Sequence, residues 1–201
     1  MLQPFLRSLF VALALYAAGA SAAVRVGEPA PDFAGVDTRG KTHRLADFRG
    51  KTVVLEWTNH DCPYVRKHYG AGNMQAQQRE AAARGAVWLS VISSAPGEQG
   101  HVAPAEADRL TRSREAAPHA VLLDPEGRIG RAYGAKTTPH MYIIDETGRL
   151  VYMGGIDSVT TADPADIAQA TQYVRIALQE RAAGKPISAP VTRPYGCSVK
   201  Y

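Results

Sequence analysis

A chain of 201 residues, 45% of them hydrophobic and 21% charged, is sized and composed for one globular domain around one core. Its formal net charge of +4 comes from positive residues interleaved with acids, with no Lys/Arg block, so the clustered basic stripe of a nucleic-acid binder is excluded. The two cysteines, Cys62 and Cys197, are too few for a disulfide scaffold or for a cysteine-only zinc site.

The first residues read as a segment outside the fold. Met1 to Arg7 ends in a positive charge, Leu9 to Ala18 is an apolar run, and Ala20-Ser-Ala22 supplies the small residues that a signal peptidase needs. This is the layout of a secretory signal, with cleavage expected near Ala22 or Ala23. The run is too short for a membrane anchor, which takes about 20 apolar residues, and no later segment offers another span. The predicted organisation is a signal peptide over 1–22, a domain over 23–186 and a C-terminal tail over 187–201. The mature chain is expected in the periplasm, free of the membrane, where oxidising conditions let a cysteine pair form a disulfide.

Val26 to Phe33 is a proline-broken lead-in. Gly35 to Leu45 reads as a hairpin around Thr38-Arg-Gly-Lys41, and Thr52 to Trp57 as a buried strand of apolar and β-branched residues. A helical pattern follows Cys62, breaks at Gly70 and Gly72, resumes over Asn73 to Arg84 and stops at Gly85. Ala86 to Ile92 is the next buried strand. Ser93 to Gly100 is a loop, Pro104 to Ala117 a polar helix, and Ala120 to Leu123 a short strand closed by the turn Asp124-Pro-Glu-Gly127. Thr138 to Asp145 leads into a strand, Glu146-Thr-Gly-Arg149 turns it, and Leu150 to Met153 returns. The last helix is capped by Asp163, has Pro164 at its first position, and carries Ile167, Ala170, Val174, Ala177 and Leu178 as one apolar stripe; Gly184 and Pro186 stop it. Alternating strands and helices, then a hairpin and a helix, predict an α/β fold with a mixed central sheet and helices on both faces.

Cys62 stands where a strand hands over to a helix, and Pro63 suits the helix's first position because its missing N–H would be unpaired there anyway. The free N–H groups of Tyr64 and Val65 then point toward the sulfur and favour the thiolate, the nucleophilic form. His60, Arg66 and Lys67 add positive potential. A Cys-x-x-Cys pair would place its second cysteine at Val65, so the partner within the chain has to be Cys197. Glu56, inside Val53-Val-Leu-Glu-Trp57, is either a buried carboxylate that accepts protons or a sheet-edge residue paired with a lysine or arginine. Pro139, ahead of a buried strand, either belongs to a simple loop or adopts a cis bond that presents its neighbour's backbone to the site.

In combination these segments resemble the thioredoxin-like superfamily, in its redoxin branch of alkyl hydroperoxide reductase and thiol-specific antioxidant type. The resemblance is carried by Gly27-Glu-Pro-Ala-Pro-Asp-Phe33, Phe48-Arg-Gly-Lys51 with Val53 to Trp57, Cys62-Pro63, and Thr137 to Asp145, and it runs from about Val26 to Met153. Asn73-Met-Gln75 and Arg193-Pro-Tyr-Gly-Cys-Ser198 are similar to a peroxiredoxin-like subgroup with a C-terminal Pro-Tyr-Gly-Cys segment. The resemblance implies a thioredoxin-like fold, a reactive Cys62, a cis Pro139 shaping the cleft, and Glu56 as the buried acid that handles protons. Two positions depart from the pattern. Val65 replaces a second cysteine, and Asn59 stands where peroxiredoxins carry a threonine, with Thr58 one step earlier and Arg66 nearby.

Cys197 follows Pro194-Tyr-Gly196, a turn-forming run expected to expose it on a mobile tail. Three roles are open to it: resolving an oxidised Cys62, a static disulfide contributing roughly 5 kcal/mol for so long a loop, and a bridge between two chains of a homodimer. The expected function is an exported, thiol-dependent antioxidant or exchange enzyme acting on disulfides or hydroperoxides, with Cys62 as nucleophile and Cys197 as resolving cysteine. It implies no cofactor; its partner is an external thiol reductant or a disulfide-bearing protein. A peroxiredoxin-like peroxidase proper is the alternative. From another class, a copper-binding carrier without redox turnover would use His60, His68 and His140 beside Cys62. His43, His101 and His119 read as surface residues.

Overall fold

The computed structural model describes residues 24–201, so the segment read as a signal peptide lies outside the described residues. The strands are β1 (Ala34–Asp37), β2 (Thr42–Arg44), β3 (Val53–Trp57), β4 (Val87–Ile92), β5 (Ala120–Leu123), β6 (Thr137–Thr138), β7 (His140–Ile144), β8 (Leu150–Gly154) and β9 (Cys197–Ser198). The helices are α1 (Pro63–Gly70), α2 (Asn73–Ala83), α3 (Pro104–Ser113), α4 (Arg128–Tyr133) and α5 (Tyr173–Ala182). Seven strands form one sheet in the order β2-β1-β5-β4-β3-β7-β8, and β6 pairs separately with β9. The β3–β4 and β4–β5 pairs are parallel; β1–β2, β1–β5, β3–β7 and β7–β8 are antiparallel. The sheet is mixed, as the order of elements predicts.

Strand alternation divides the core. Val53, Leu55 and Trp57 of β3 join Tyr142 and Ile144 of β7 on one face, where Ile129 and Tyr133 of α4 cover them. Val54, Met141 and Ile143 point to the other face, covered by Val65 and Tyr69 of α1, Met74 and Ala81 of α2, and Val174, Ala177 and Leu178 of α5. Each fully buried aliphatic side chain stabilises the fold by about 1.5–3 kcal/mol. Cys62 belongs to this second cluster, at the C-terminal end of the central strand β3.

The structure corrects the sequence-based expectations in five places. The last helix is split: Pro164–Gln169 is a 3-10 turn, capped by Asp163 Oδ1 on the Ala165 N–H (2.9 Å), and α5 starts afresh at Tyr173. Ser158 causes the break. It donates its N–H to Thr171 O (3.1 Å) and accepts the Thr171 N–H at its hydroxyl (2.9 Å), which holds the segment extended and takes Ile167 and Ala170 off the buried stripe. α3 stops at Ser113, short of Ala117, because the chain turns at Glu115 with φ of 52°. α4 is a helix that the sequence pattern does not predict; the Asp124 carboxylate starts it by accepting from the Ile129 (3.2 Å) and Gly130 (2.9 Å) N–H groups. His43 is buried rather than on the surface, bonded to Asp37 at 2.8 Å and stacked on Phe48.

The fifth correction concerns the tail, which is packed down along its length rather than hanging free. Thr192 Oγ1 accepts the Gly155 N–H (3.0 Å), β9 pairs with β6, Lys200 O accepts the Ala95 N–H (2.7 Å), and the Tyr201 hydroxyl donates to Ala135 O (2.8 Å). Among the described residues no helix is long and apolar enough to cross a membrane.

Candidate active site

The loop from β3 to α1 is pinned before it reaches Cys62. Thr58 N–H donates to Val91 O (3.0 Å), Asn59 Oδ1 accepts the Asp61 N–H (2.9 Å), and Asn59 O accepts the Cys62 N–H (3.1 Å). Cys62 is then the cap residue of α1, in extended conformation at φ −69°, ψ 124°, with Pro63 as the first helical residue. Of the two N–H groups expected at the sulfur, that of Val65 is near enough to help lower the Cys62 pKa, but neither makes a cap hydrogen bond to it.

The tail brings the second sulfur to this helix end. β6 and β9 are antiparallel with Thr138 opposite Cys197, and the Thr138–Pro139 peptide is cis. The Cys197 N–H lies 3.4 Å from Cys62 Sγ, and Thr138 O lies 3.0 Å from the same sulfur, accepting from it when Cys62 is a thiol. Both cysteines are free. Gly196 is required here: a Cβ at this residue, whose φ is 134°, would fall 2.0 Å from Thr138 O.

Opposite forces act on the two thiols. Burial, the largest influence, pushes the Cys62 pKa up. Hydrogen bonds from the Cys197 thiol and N–H and the Thr138 side chain, with the nearby Val65 N–H, outweigh it, so Cys62 ends below its ordinary value. Burial first, and then the hydrogen bond and charge of Cys62, push Cys197 up to about 11. The pair therefore places the thiolate on Cys62 and keeps the proton on Cys197.

Glu56 is fully buried on the central strand, neither at a sheet edge nor beside a lysine or arginine. It accepts from Tyr69 Oη (2.8 Å), Gln78 Nε2 (3.3 Å), Trp88 Nε1 (2.8 Å) and Ser90 Oγ (3.0 Å), and none of its hydrogen bonds reaches Cys62. Two of its donors, Tyr69 and Ser90, also line a small cavity of about 30 Å³ together with Thr58, His60 and Arg114. Thr58 Oγ1 is buried without a hydrogen-bond partner. Arg66 is turned outward, bonding Asp61 Oδ1 (3.1 Å) and His60 O (3.2 Å), so the hydroxyl and guanidinium that would hold a peroxide do not meet at Cys62.

The histidines of the copper alternative do not converge. His68 bonds Tyr195 Oη (3.0 Å) and Asn73 Nδ2 (2.9 Å), His140 Nδ1 accepts the Lys136 N–H (3.2 Å), and His60 lies 3.3 Å from Asp61. Among the described residues no three His, Cys, Asp or Glu side chains are grouped to hold a metal ion. Lys67, expected to add positive potential at the sulfur, points instead into a buried polar cluster with Asp157 and Tyr195, two residues whose part there sequence reasoning missed. One signal was in plain view: Tyr195 is a large aromatic residue in a segment otherwise made of turn formers.

Residues 26–153, well over half of the chain, match the AhpC/TSA family. The chain belongs to that family. Within it, the cysteine at the head of α1 and the facing cis-proline strand lie inside the matched region, while Cys197 lies beyond it. Thiol-disulfide oxidoreductase ResA of Geobacillus thermodenitrificans is 28% identical over 135 residues, covering 64% of this chain and 68% of that protein. An uncharacterized conserved protein from Geobacillus kaustophilus has a similar structure, with a TM-score of 0.75 at 22% identity over 90% of this chain and 94% of its own. A putative thiol:disulfide interchange protein DsbE from Chlorobium tepidum gives a TM-score of 0.53 at 25% identity, over 65% and 85%. The fold of this AhpC/TSA member is thioredoxin-like, and family, fold and cysteine chemistry together make it a thiol oxidoreductase.

Proposed function

We propose that the chain is an exported thiol–disulfide oxidoreductase in which Cys62 attacks and Cys197 resolves. The observation that carries this reading is the contact of the Cys197 N–H with the Cys62 sulfur at 3.4 Å, across 135 residues of chain. It also favours the resolving role over a bridge between chains, since one chain already brings both sulfurs together. The Cys62 thiolate attacks one sulfur of a substrate disulfide, forming a mixed disulfide and expelling the other sulfur as thiolate. Cys62 then carries no charge, so two of the causes that hold the Cys197 pKa up disappear. Cys197 loses its proton and attacks Cys62 sulfur; the second substrate thiolate leaves and a Cys62–Cys197 disulfide remains. The substrate gains two electrons, and an external thiol reductant returns them. Glu56 handles protons behind the site, with Tyr69 and Ser90 linking it to the neighbouring cavity, which is large enough for one water molecule. Pro139 shapes the cleft by holding Thr138 against the sulfur.

The test is mass spectrometry of the reduced full-length mature protein under non-reducing conditions, before and after one equivalent of a disulfide or of hydrogen peroxide. An intrachain Cys62–Cys197 link formed with the disulfide, together with reduction of insulin disulfides that falls at least roughly a thousandfold in Cys62→Ser, is the expected result. A link formed only with peroxide reassigns the chain to the peroxidase reading, and a link between chains removes the resolving role. Secretion of the full sequence from a Gram-negative host should yield a protein beginning at Ala23 or Val24.

A further inference from the structure

Cys62 has no exposed surface. The tail covers it: Tyr195 is buried in the same apolar cluster, and Cys197 packs against that cluster from outside. Most of the tail's other attachments are to backbone groups, with Thr192 also bonding the buried Tyr152 hydroxyl (2.7 Å), whereas Tyr195 reaches a buried cluster that contains charged groups. Its hydroxyl donates to Asp157 Oδ1 and lies 3.0 Å from His68 Nε2. Asn73 Nδ2 donates to His68 Nδ1 (2.9 Å) and to Gln172 Oε1 (3.0 Å), so the His68 proton sits on Nε2 and is donated to Tyr195. Lys67 Nζ, also buried, donates to Val159 O (2.9 Å) and stands 3.8 Å from Asp157 Oδ2. Lys67 and His68 lie on α1, the helix that Cys62 caps, and Gly196 then carries the chain flush against Thr138 to Cys197.

We propose that Tyr195 is a positioning residue, a latch between His68 and Asp157 that seats Cys197 on Cys62 and shuts Cys62 from solvent until the tail is released. This rests on the reading of Cys62 and Cys197 as the reactive pair. A substrate disulfide reaches Cys62 only when the latch opens, and the latch returns Cys197 to the mixed disulfide before a second external thiol can enter. The opening is local, because the segment that must move carries few buried groups apart from Tyr195. The cost of leaving Asp157 and His68 without the hydroxyl keeps the closed state favoured.

Tyr195→Phe removes the hydroxyl and keeps the ring. In the reduced full chain, alkylation of Cys62 by iodoacetamide should rise at least tenfold at saturating pH, and the midpoint of its pH profile should move up, because the Cys197 donors are lost. With one equivalent of oxidised glutathione, the glutathione mixed disulfide on Cys62 should accumulate at the expense of the intrachain link. Rate and midpoint both unchanged, or a rate increase no larger than the variant's own global unfolding constant allows, would overturn the latch. If Tyr195→Phe does not fold, Gly196→Ala serves instead. It leaves the hydroxyl in place but forces the chain off Thr138, and it must give the same rise in rate and midpoint, or the proposal is wrong. Wild-type protein that never forms the intrachain link with glutathione would defeat the reactive-pair reading, while the alkylation arm would still decide whether Tyr195 closes the site.

Discussion

Two buried carboxylates face α1, and the molecule treats them differently. Glu56 sits on the central strand and accepts from four uncharged donors on α1, α2 and β4. Asp157 sits in a loop after β8. One of its oxygens takes the Tyr195 hydroxyl and the Val159 N–H, and the other has no hydrogen bond, with Lys67 at 3.8 Å and His68 at 3.9 Å. Glu56 is thus closed in by rigid elements, while Asp157 depends on a residue that arrives from the far end of the chain. A satisfied network fixes a core, and one that shares a partner with a movable segment records whether that segment is docked.

The largest expected difference comes from removing each acid. Asp157→Ala leaves Lys67 buried with one carbonyl and the face of Tyr195 but no counter-charge, and stability to urea should fall by about 3–5 kcal/mol. Tail docking should fail with it, read as faster alkylation of Cys62. An Asp157→Ala protein of wild-type stability and reactivity would erase the contrast.

Acid sharpens the comparison from the other side. Burial, and then the charge of Lys67, lower the His68 pKa to about 3; burial, and then Lys136, do the same for His140. The unfolded chain binds these protons below about 6.5 and the folded chain does not, so stability is present above 6.5 and is lost as pH falls toward 3. At pH 5 each histidine should cost about 2 kcal/mol. His68→Gln should remove its own share of this loss; an acid limb that survives it unchanged would place the titration elsewhere.

Glu56→Gln is expected to do less to stability, about 1–3 kcal/mol, because one amide hydrogen must face a donor. Its signature lies in turnover. Disulfide reduction should fall by roughly a hundredfold while stoichiometric alkylation of Cys62 keeps its pH profile, as fits a group that moves protons without touching the sulfur. Lost stability with full turnover would leave Glu56 a core residue alone.

Much of this architecture is legible in the order of the residues alone. The hairpin, the buried strands, the broken helix after Cys62 and the alternating elements announce themselves by their own periodicity, and Cys62-Pro63 marks a helix start. What stays hidden is long-range. Nothing local to Val174 says that Ser158 will hold Thr171 and split the last helix. Nothing in Pro194-Tyr-Gly196, a run of turn formers, says that a tyrosine there will find Asp157 and His68 and turn an arm expected to be loose into a docked one. His43 reads as exposed because its partner Asp37 lies across a hairpin, where sequence spacing hides the contact.

The smallest predicted effect tests the two ends of the chain together. In the reduced protein the Cys62 pKa is depressed and the Cys197 pKa is raised to about 11, against an ordinary thiol value near 9. Below 9, down to the depressed value, the unfolded chain holds a proton that folded Cys62 has lost, so stability rises with pH. Between 9 and about 11 the folded chain keeps the Cys197 proton that the unfolded chain gives up, so stability falls with pH. For this pair alone the result is a maximum near pH 9, with an alkaline flank of about 1 kcal/mol once solvent screening at the partly exposed Cys197 is allowed for. Oxidation to the disulfide removes both cysteine titrations, and Cys197→Ala removes the Cys197 share of the alkaline fall while moving the Cys62 midpoint upward; the buried tyrosines, whose pKa values burial also raises, keep the rest of that fall. A Cys197→Ala protein whose urea midpoint follows the wild-type pH dependence from pH 7 to pH 11 would mean that the two sulfurs do not share a proton, however close the chain brings them.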